Sequence, residues 1–344
     1  MWPYKPGWHF EVAVTTRDSD IPDSFLAIQK GRIESLRTQL AAGLPPDTAW
    51  QNGWTLLHQA AAYGRVSAVR VLLEHRAQID ALDRSRRSPL FTAVQAASYS
   101  TVQLLLAAGA DVSILSVWGS SALHKAAMVG QAEIAAALLQ AGADVHLVSK
   151  GYGGTPLHMA VRNPRDCDAE SDRVGVAQVL IARGANVDAR DTHGQSPLHR
   201  ASRESDDLMA EFLLHEGANP NATEEDNQTP LHLAPILGSV AVTRVLLQHR
   251  AIVDVKDRFG ETPLQRAAGA ARPTIIRLLL GAGANPTDRS NAGLSPTEIL
   301  QRRVDGHDPD AQAKYGWRAD RAIPKRTIRA TLRALEGQNP NETV

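Results

Sequence analysis

The sequence predicts an all-α protein built as an array, with helix–turn–helix units repeated along the chain. Three observations carry that prediction. A proline-centred motif recurs at a fixed interval, most copies open with residues that turn the chain and cap a helix, and most close with a Leu-Leu pair and a glycine. Pro89, Pro156, Pro197, Pro230, Pro263 and Pro296 hold one motif position, and Leu56 and Ala122 hold it in two further copies. Neighbouring spacings are 33, 33, 34, 41, 33, 33 and 33 residues. Such regularity marks one supersecondary unit stacked on its neighbours.

Each element of the unit has a physical reason. In Gly194-Gln195-Ser196-Pro197-Leu198-His199 the glycine permits a positive-φ turn and the serine caps a helix. Proline takes the first helical position, where its missing N–H costs nothing. A short helix follows. The second helix carries the Leu-Leu pair (Leu72-Leu73, Leu138-Leu139, Leu213-Leu214, Leu246-Leu247), which is expected to be buried between copies, Leu139 included. It stops at a left-handed glycine in Gly109, Gly142, Gly184, Gly217 and Gly283. Arg76 and Arg250 stand at that place in two copies, at a cost of roughly 1 kcal/mol each.

The ends read as caps. Residues 1–20 form a tail in which Glu11 to Thr15 alternates like a short strand, and 21–50 form a helix pair without the motif start. Residues 51–288 hold seven repeats, and 289–336 hold a partial repeat, a polar loop and one more helix, before a tail at 337–344. Ser295-Pro296-Thr297-Glu298 is a capping box that opens the partial repeat. In the last helix Lys325, Arg326, Arg329 and Arg333 lie to one side of Ile323, Ile328, Leu332 and Leu335. A terminal cap needs that pattern, and a helix binding acidic partners or membrane surfaces shares it.

Composition narrows the function. Lysine plus arginine equals aspartate plus glutamate at 37 each among 344 residues, so no global field draws the chain to nucleic acid or anionic membrane. A single cysteine, Cys167, excludes an internal disulfide framework, and no run of eighteen apolar residues is present. With no signal-peptide pattern at the start, the expected compartment is the cytosol or nucleus.

The pattern GxTPLHxA…LLxxGAxVxAxD resembles the ankyrin repeat over about residues 21 to 303. The resemblance implies a solenoid of helix–turn–helix units, each followed by a projecting β-hairpin finger, with a concave face of first helices. It also implies a protein-binding function without catalysis. Five histidines, His58, His124, His158, His199 and His232, hold the motif position, where the family's imidazole bonds the capping hydroxyl and nearby backbone; Phe91 and Gln265 replace it in other copies. Ser196 with His199 is therefore a cap rather than a nucleophile and base. No metal, cofactor or phosphate-binding motif is found. Cys167 stands between Asp166 and Asp168, which raise a thiol pKa rather than activate it.

Two surfaces are candidates for a partner. The residues preceding the turn glycine form a row along the fingers that includes Trp118, Tyr152, His193 and Phe259; aromatic residues are frequent binding anchors. Along the first helices the concave positions are Gln59, Ala62 and Tyr63; Thr92, Gln95 and Ala96; Lys125, Met128 and Val129; Met159 and Arg162; Arg200 and Arg203; Leu233, Ile236 and Leu237; and Arg266. The middle copies thus place Met beside Lys and Arg, which fits a partner with apolar and acidic residues. Between the two helices of the fourth copy eight extra residues enter near 163–172, a polar and acidic stretch that suits a surface loop. The sequence therefore predicts a monomeric scaffold that binds another protein, with no cofactor, no nucleic acid and no membrane. An adaptor subunit of a larger complex, or an accessory factor or atypical enzyme of a biosynthetic pathway, is the alternative.

Overall fold

A computed structural model describes residues 21–151, 153–161, 172–305 and 324–336. The alternating stretch 11–15, Tyr152, the inserted segment with Arg162 and Cys167, and both tails lie outside these residues. The chain divides into two compact units, one comprising 1–160 with 165–185 and the other 161–164 with 186–344.

Unit 1 contains α1 (Asp23–Gln29), α2 (Ile33–Ala41), α3 (Leu56–Ala62), α4 (Val66–Glu74), α5 (Pro89–Gln95), α6 (Tyr99–Ala107), α7 (Ala122–Val129), α8 (Ala132–Gln140), α9 (Pro156–Ala160) and α10 (Arg173–Ala182). Odd-numbered helices stack on odd-numbered ones and even on even, while each pair packs within its own copy. Unit 2 repeats this arrangement with α11 (Pro197–Glu204), α12 (Asp207–His215), α13 (Pro230–Leu237), α14 (Val240–Gln248), α15 (Pro263–Gly269), α16 (Pro273–Gly281) and α17 (Pro296–Val304). Its final helix, α18 (Lys325–Leu335), packs on α16 and α17, with Thr331, Ala334 and Leu335 buried and the four basic side chains outward.

Each core layer takes one leucine from each helix of a copy. Leu123 and Leu138 are both fully buried in the third copy, as are Leu198 with Leu213 and Leu231 with Leu246. The second leucine of the pair behaves differently. Leu73, Leu139 and Leu247 are only half-buried, and Leu214 alone joins the core. Adjacent helical residues are turned about 100° from one another, so the stripe facing the next copy accommodates the first leucine better than the second. The expectation that Leu139 is buried between copies is corrected to Leu138.

The helix stops follow prediction. Gly109, Gly142, Gly184, Gly217 and Gly283 have φ of 89 to 93°, and Arg76 and Arg250 are forced to 62 and 63° at the same place. The expected β-hairpin fingers are narrow turns: among the described residues only an isolated bridge, Ala49 to Thr55, has strand pairing. No described helix is long and apolar enough to cross a membrane.

Candidate functional site

The fingers are closed and aligned by backbone bonds. Within unit 1 the closing bonds run from Asp83 N to Arg87 O, Ser116 N to Ser120 O and Ser149 N to Gly154 O; within unit 2 from Asp191 N to Gln195 O, Glu224 N to Gln228 O and Asp257 N to Glu261 O. Successive tips are then linked. Arg84 N donates to Asn52 O, Val117 N to Ser85 O and Gly151 N to Trp118 O in unit 1, and Arg258 N to Asp226 O and Asn291 N to Phe259 O in unit 2. The row of residues before the turn glycine is thus a row of acceptors that holds the tips in register.

The motif histidine fixes each finger to its helix. In the third copy Ser121 Oγ lies 2.9 Å from His124 Nδ1, Ser121 N donates to the same nitrogen, and His124 Nε2 reaches Gly154 O of the next finger at 3.2 Å. His58, His199 and His232 repeat this arrangement with Arg87 O, Gln228 O and Glu261 O. Gln265 does the same work, accepting from Thr262 N at 2.8 Å and donating to Leu294 O at 2.8 Å. Burial lowers the pKa of His124, His199 and His232 to about 4. The Ser196 and His199 pair is buried, and both of its ring nitrogens are committed. It is a structural pair with no open face for a substrate. Among the described residues no group of three or more His, Cys, Asp or Glu is placed to hold a metal ion.

Of the residues singled out in sequence, Trp118 in unit 1 is 56% exposed at its finger tip. Lys125 and Met128 are half-buried on α7, whereas Met159 on α9 is only 4% exposed and belongs to the core. In unit 2 His193 and Arg203 are exposed. Arg200 is half-buried, and desolvation lowers its pKa while Asp191 and Glu204 oppose that shift. Phe259 is half-buried, with the Arg258 guanidinium 4.6 Å and the Arg266 guanidinium 5.8 Å from its ring centre. It is therefore held within a packed cluster rather than presented as a bare anchor.

The concave assignment needs a general correction. Gln59, Thr92, Met159, Leu233 and Arg266, all at the fourth helical position of their first helices, are buried. Lys125 and Arg200 stand at the same position and are half-buried. Arg266, at 1% exposure, is the unexpected member. Its Nε lies 3.0 Å from Asp257 Oδ2 and 3.2 Å from Glu261 Oε2, so two carboxylates of its own finger neutralise it.

Sequence reasoning missed the exposed apolar residues beside Trp118. Leu82, Val117 and Val148 are 40%, 53% and 41% exposed, and Leu115 is half-buried. Leu82, Leu115 and Val148 each precede the first residue of a closing bond, so they hold one equivalent column on three successive fingers. An alignment of the finger segments shows this column.

Comparison with known proteins follows from this geometry. The family profile for ankyrin repeats, in three copies, matches residues 24–116, 123–224 and 198–290. An ankyrin repeat-containing protein of Schizosaccharomyces pombe is 30% identical over 70 residues, covering 20% of this chain and 34% of that protein. A probable E3 ubiquitin-protein ligase, XBOS31, of Oryza sativa subsp. japonica is 38% identical over 80 residues, covering 23% of this chain and 18% of that protein. The chain thus spans about a third or less of these relatives. The crystal structure of the human ASB11 ankyrin repeat domain aligns with a TM-score of 0.57 and 28% identity, over 67% of this chain and 99% of that domain.

Proposed function

Because this chain belongs to the ankyrin repeat family, we propose that it is a non-enzymatic interaction module that binds a partner protein through its fingers and the exposed parts of its first helices. Repeats of this family are generally protein-interaction modules. One observation carries the choice of surface: Trp118 is 56% exposed at a finger tip whose backbone is bonded to the fingers on both sides. An indole leaves much apolar area in water there, and a partner that covers it gains that area with little ordering of the scaffold. Lys125 and Met128 on α7, and Arg200 and Arg203 on α11, extend the reading to the helices with a basic and apolar character. The protein acts as a monomer in the cytosol or nucleus.

The test is Trp118→Ala. The variant keeps wild-type circular dichroism, because the ring contributes little to the core. A partner enriched by the wild type from native extract, then purified, binds the variant at least about tenfold more weakly by calorimetry, a loss of about 1.4 kcal/mol or more. Equal affinities would remove Trp118 from the interface and move the search to the first helices.

A further inference from the structure

The two units spend the same finger position differently. In unit 2 the column preceding the closing bond reads Arg190, Thr223, Lys256 and Arg289. Its cations are used to hold neighbouring fingers: Arg190 Nη1 donates to Thr223 O, and Lys256 Nζ donates to Arg289 O at 3.2 Å. In unit 1 the column reads Leu82, Leu115 and Val148, aliphatic side chains that can make no such bond and stand partly in water.

The closing residue differs as well. Unit 2 closes its first three fingers with Asp191, Glu224 and Asp257, whose carboxylates accept loop N–H groups, and its last with Ser290. Unit 1 closes the third and fourth with Ser116 and Ser149, and its one closing acid, Asp83, is buried against Arg87 at 2.8 Å. Arg84, Arg86 and Lys150 are exposed on the same loops. The unit 1 fingers therefore combine an apolar column with a net positive rim.

Geometry sets the form of the occupant. Stacked helices are about 8–10 Å apart, and a chain in the extended polyproline-II conformation advances about 3.1 Å per residue with about three residues per turn, so side chains three apart share a face and stand about one finger apart. In a β-strand the side chains that share a face are two apart, advance only about 6.6 Å and lose register by the second finger. A helix laid along the row meets each finger once in about seven residues, and presents its intervening turns to gaps between the column residues.

Resting on the reading that the fingers bind a partner, we propose that the unit 1 fingers dock an extended segment of a partner polypeptide, with apolar side chains three residues apart and carboxylates between them. The apolar residues cover Leu82, Leu115 and Val148 in turn, with Trp118 beside them, and the carboxylates face Arg84, Arg86 and Lys150.

The experiment titrates the full chain by calorimetry with two synthetic peptides of identical composition. One carries leucine at every third position with aspartate or glutamate elsewhere, and the other has the same residues with its leucines gathered at alternate positions in the middle and the remaining acids at the ends. The first binds, and the second binds at least about tenfold more weakly. The double variant Leu82→Asp, Val148→Asp retains its helicity, since both side chains are exposed, and loses the first peptide by at least about tenfold. Arg84→Ala with Arg86→Ala weakens binding and flattens its dependence on salt. Failure of the first peptide to bind, equal binding of both peptides, or wild-type affinity in the Leu82/Val148 variant overturns the proposal. If the native partner nevertheless depends on Trp118, the finger reading stands and only this form of the ligand falls; if it does not, the fingers are not the interface and the finger reading falls with the proposal.

Discussion

Replacing His199 with glutamine should remove part of the protein's sensitivity to acid while leaving its fold at neutral pH. His199 Nδ1 accepts from Ser196 N at 3.2 Å and lies 2.8 Å from the Ser196 hydroxyl, while Nε2 lies 3.0 Å from Gln228 O. The neutral tautomer that fits has its proton on Nε2. A second proton on Nδ1 would face a backbone N–H at a fully buried position, and burial accordingly lowers the pKa from 6.5 to about 4. Between these values the unfolded chain binds more protons than the folded one, so the contribution of this group is complete above about pH 6.5 and declines as pH falls toward 4. From pH 7.5 to 5.5 the decline comes to about 1 kcal/mol for one such group.

Gln265 shows that glutamine can occupy the position, with Oε1 accepting from Thr262 N and Nε2 donating to Leu294 O. Urea unfolding of the wild type and His199→Gln at pH 7.5 and 5.5 measures the effect. The variant should lie within about 1 kcal/mol of wild type at pH 7.5, since it retains both hydrogen-bonding functions. Its loss on acidification should be smaller by about 1 kcal/mol. An equal acid loss in both proteins, with unchanged m-values, would show that this imidazole titrates normally and that the cap geometry does not exclude its proton.

Three further outcomes follow from the packing and the finger surface. Leu138→Ala, at a fully buried position, should cost about 2–5 kcal/mol by chemical denaturation, and half-buried Leu139→Ala clearly less; the reverse order would place the repeat one residue out of register. Arg250→Gly should raise stability by about 1 kcal/mol by relieving a side chain held at φ of 63°, and a lower unfolding midpoint would show that Arg250 makes a contact worth more than that strain. Trp118→Ala should preserve the unfolding midpoint to within about 0.5 kcal/mol, as surface substitutions do; a larger loss would make the ring a structural element rather than an exposed anchor.

The fold was legible because its determinants are local and repeated. Thr55, Ser121 and Ser196 cap the helices their position predicts, and Ser295 with Glu298 forms the expected capping box. What was hidden depends on how segments fold against one another. The sequence places Arg266 on a helix face, and only the finger turning back brings Asp257, nine residues earlier, to its guanidinium. Met159 shares a helical position with Lys125, but an apolar side chain remains in the packing where a charged one reaches out. Trp118 was recognised by its place before the turn glycine. The column of Leu82, Leu115 and Val148 went unremarked because no one of these residues is unusual; its meaning appears only when three fingers are aligned.

A formal net charge of +0 conceals how differently the charges are used. In unit 2, cations are consumed in holding the structure: Arg190 and Lys256 bind carbonyls of the next finger, Arg258 pairs with Asp226, and Arg266 is buried between Asp257 and Glu261. A buried ion pair of that kind is costly to desolvate and destabilising to break, so those charges are committed. In unit 1 the third and fourth fingers close with Ser116 and Ser149, as Ser290 closes the last finger of unit 2, the column is aliphatic, and Arg84 and Arg86 on the Asp83 finger and Lys150 on the Ser149 finger are outward. Serine closes a turn as the carboxylate does, by accepting a loop N–H, here Ser120 N to Ser116 Oγ at 3.3 Å. It does so without placing a negative charge beside the tip. A serine-closed finger thus keeps the shape of an acid-closed one while its local field differs, which total charge does not reveal.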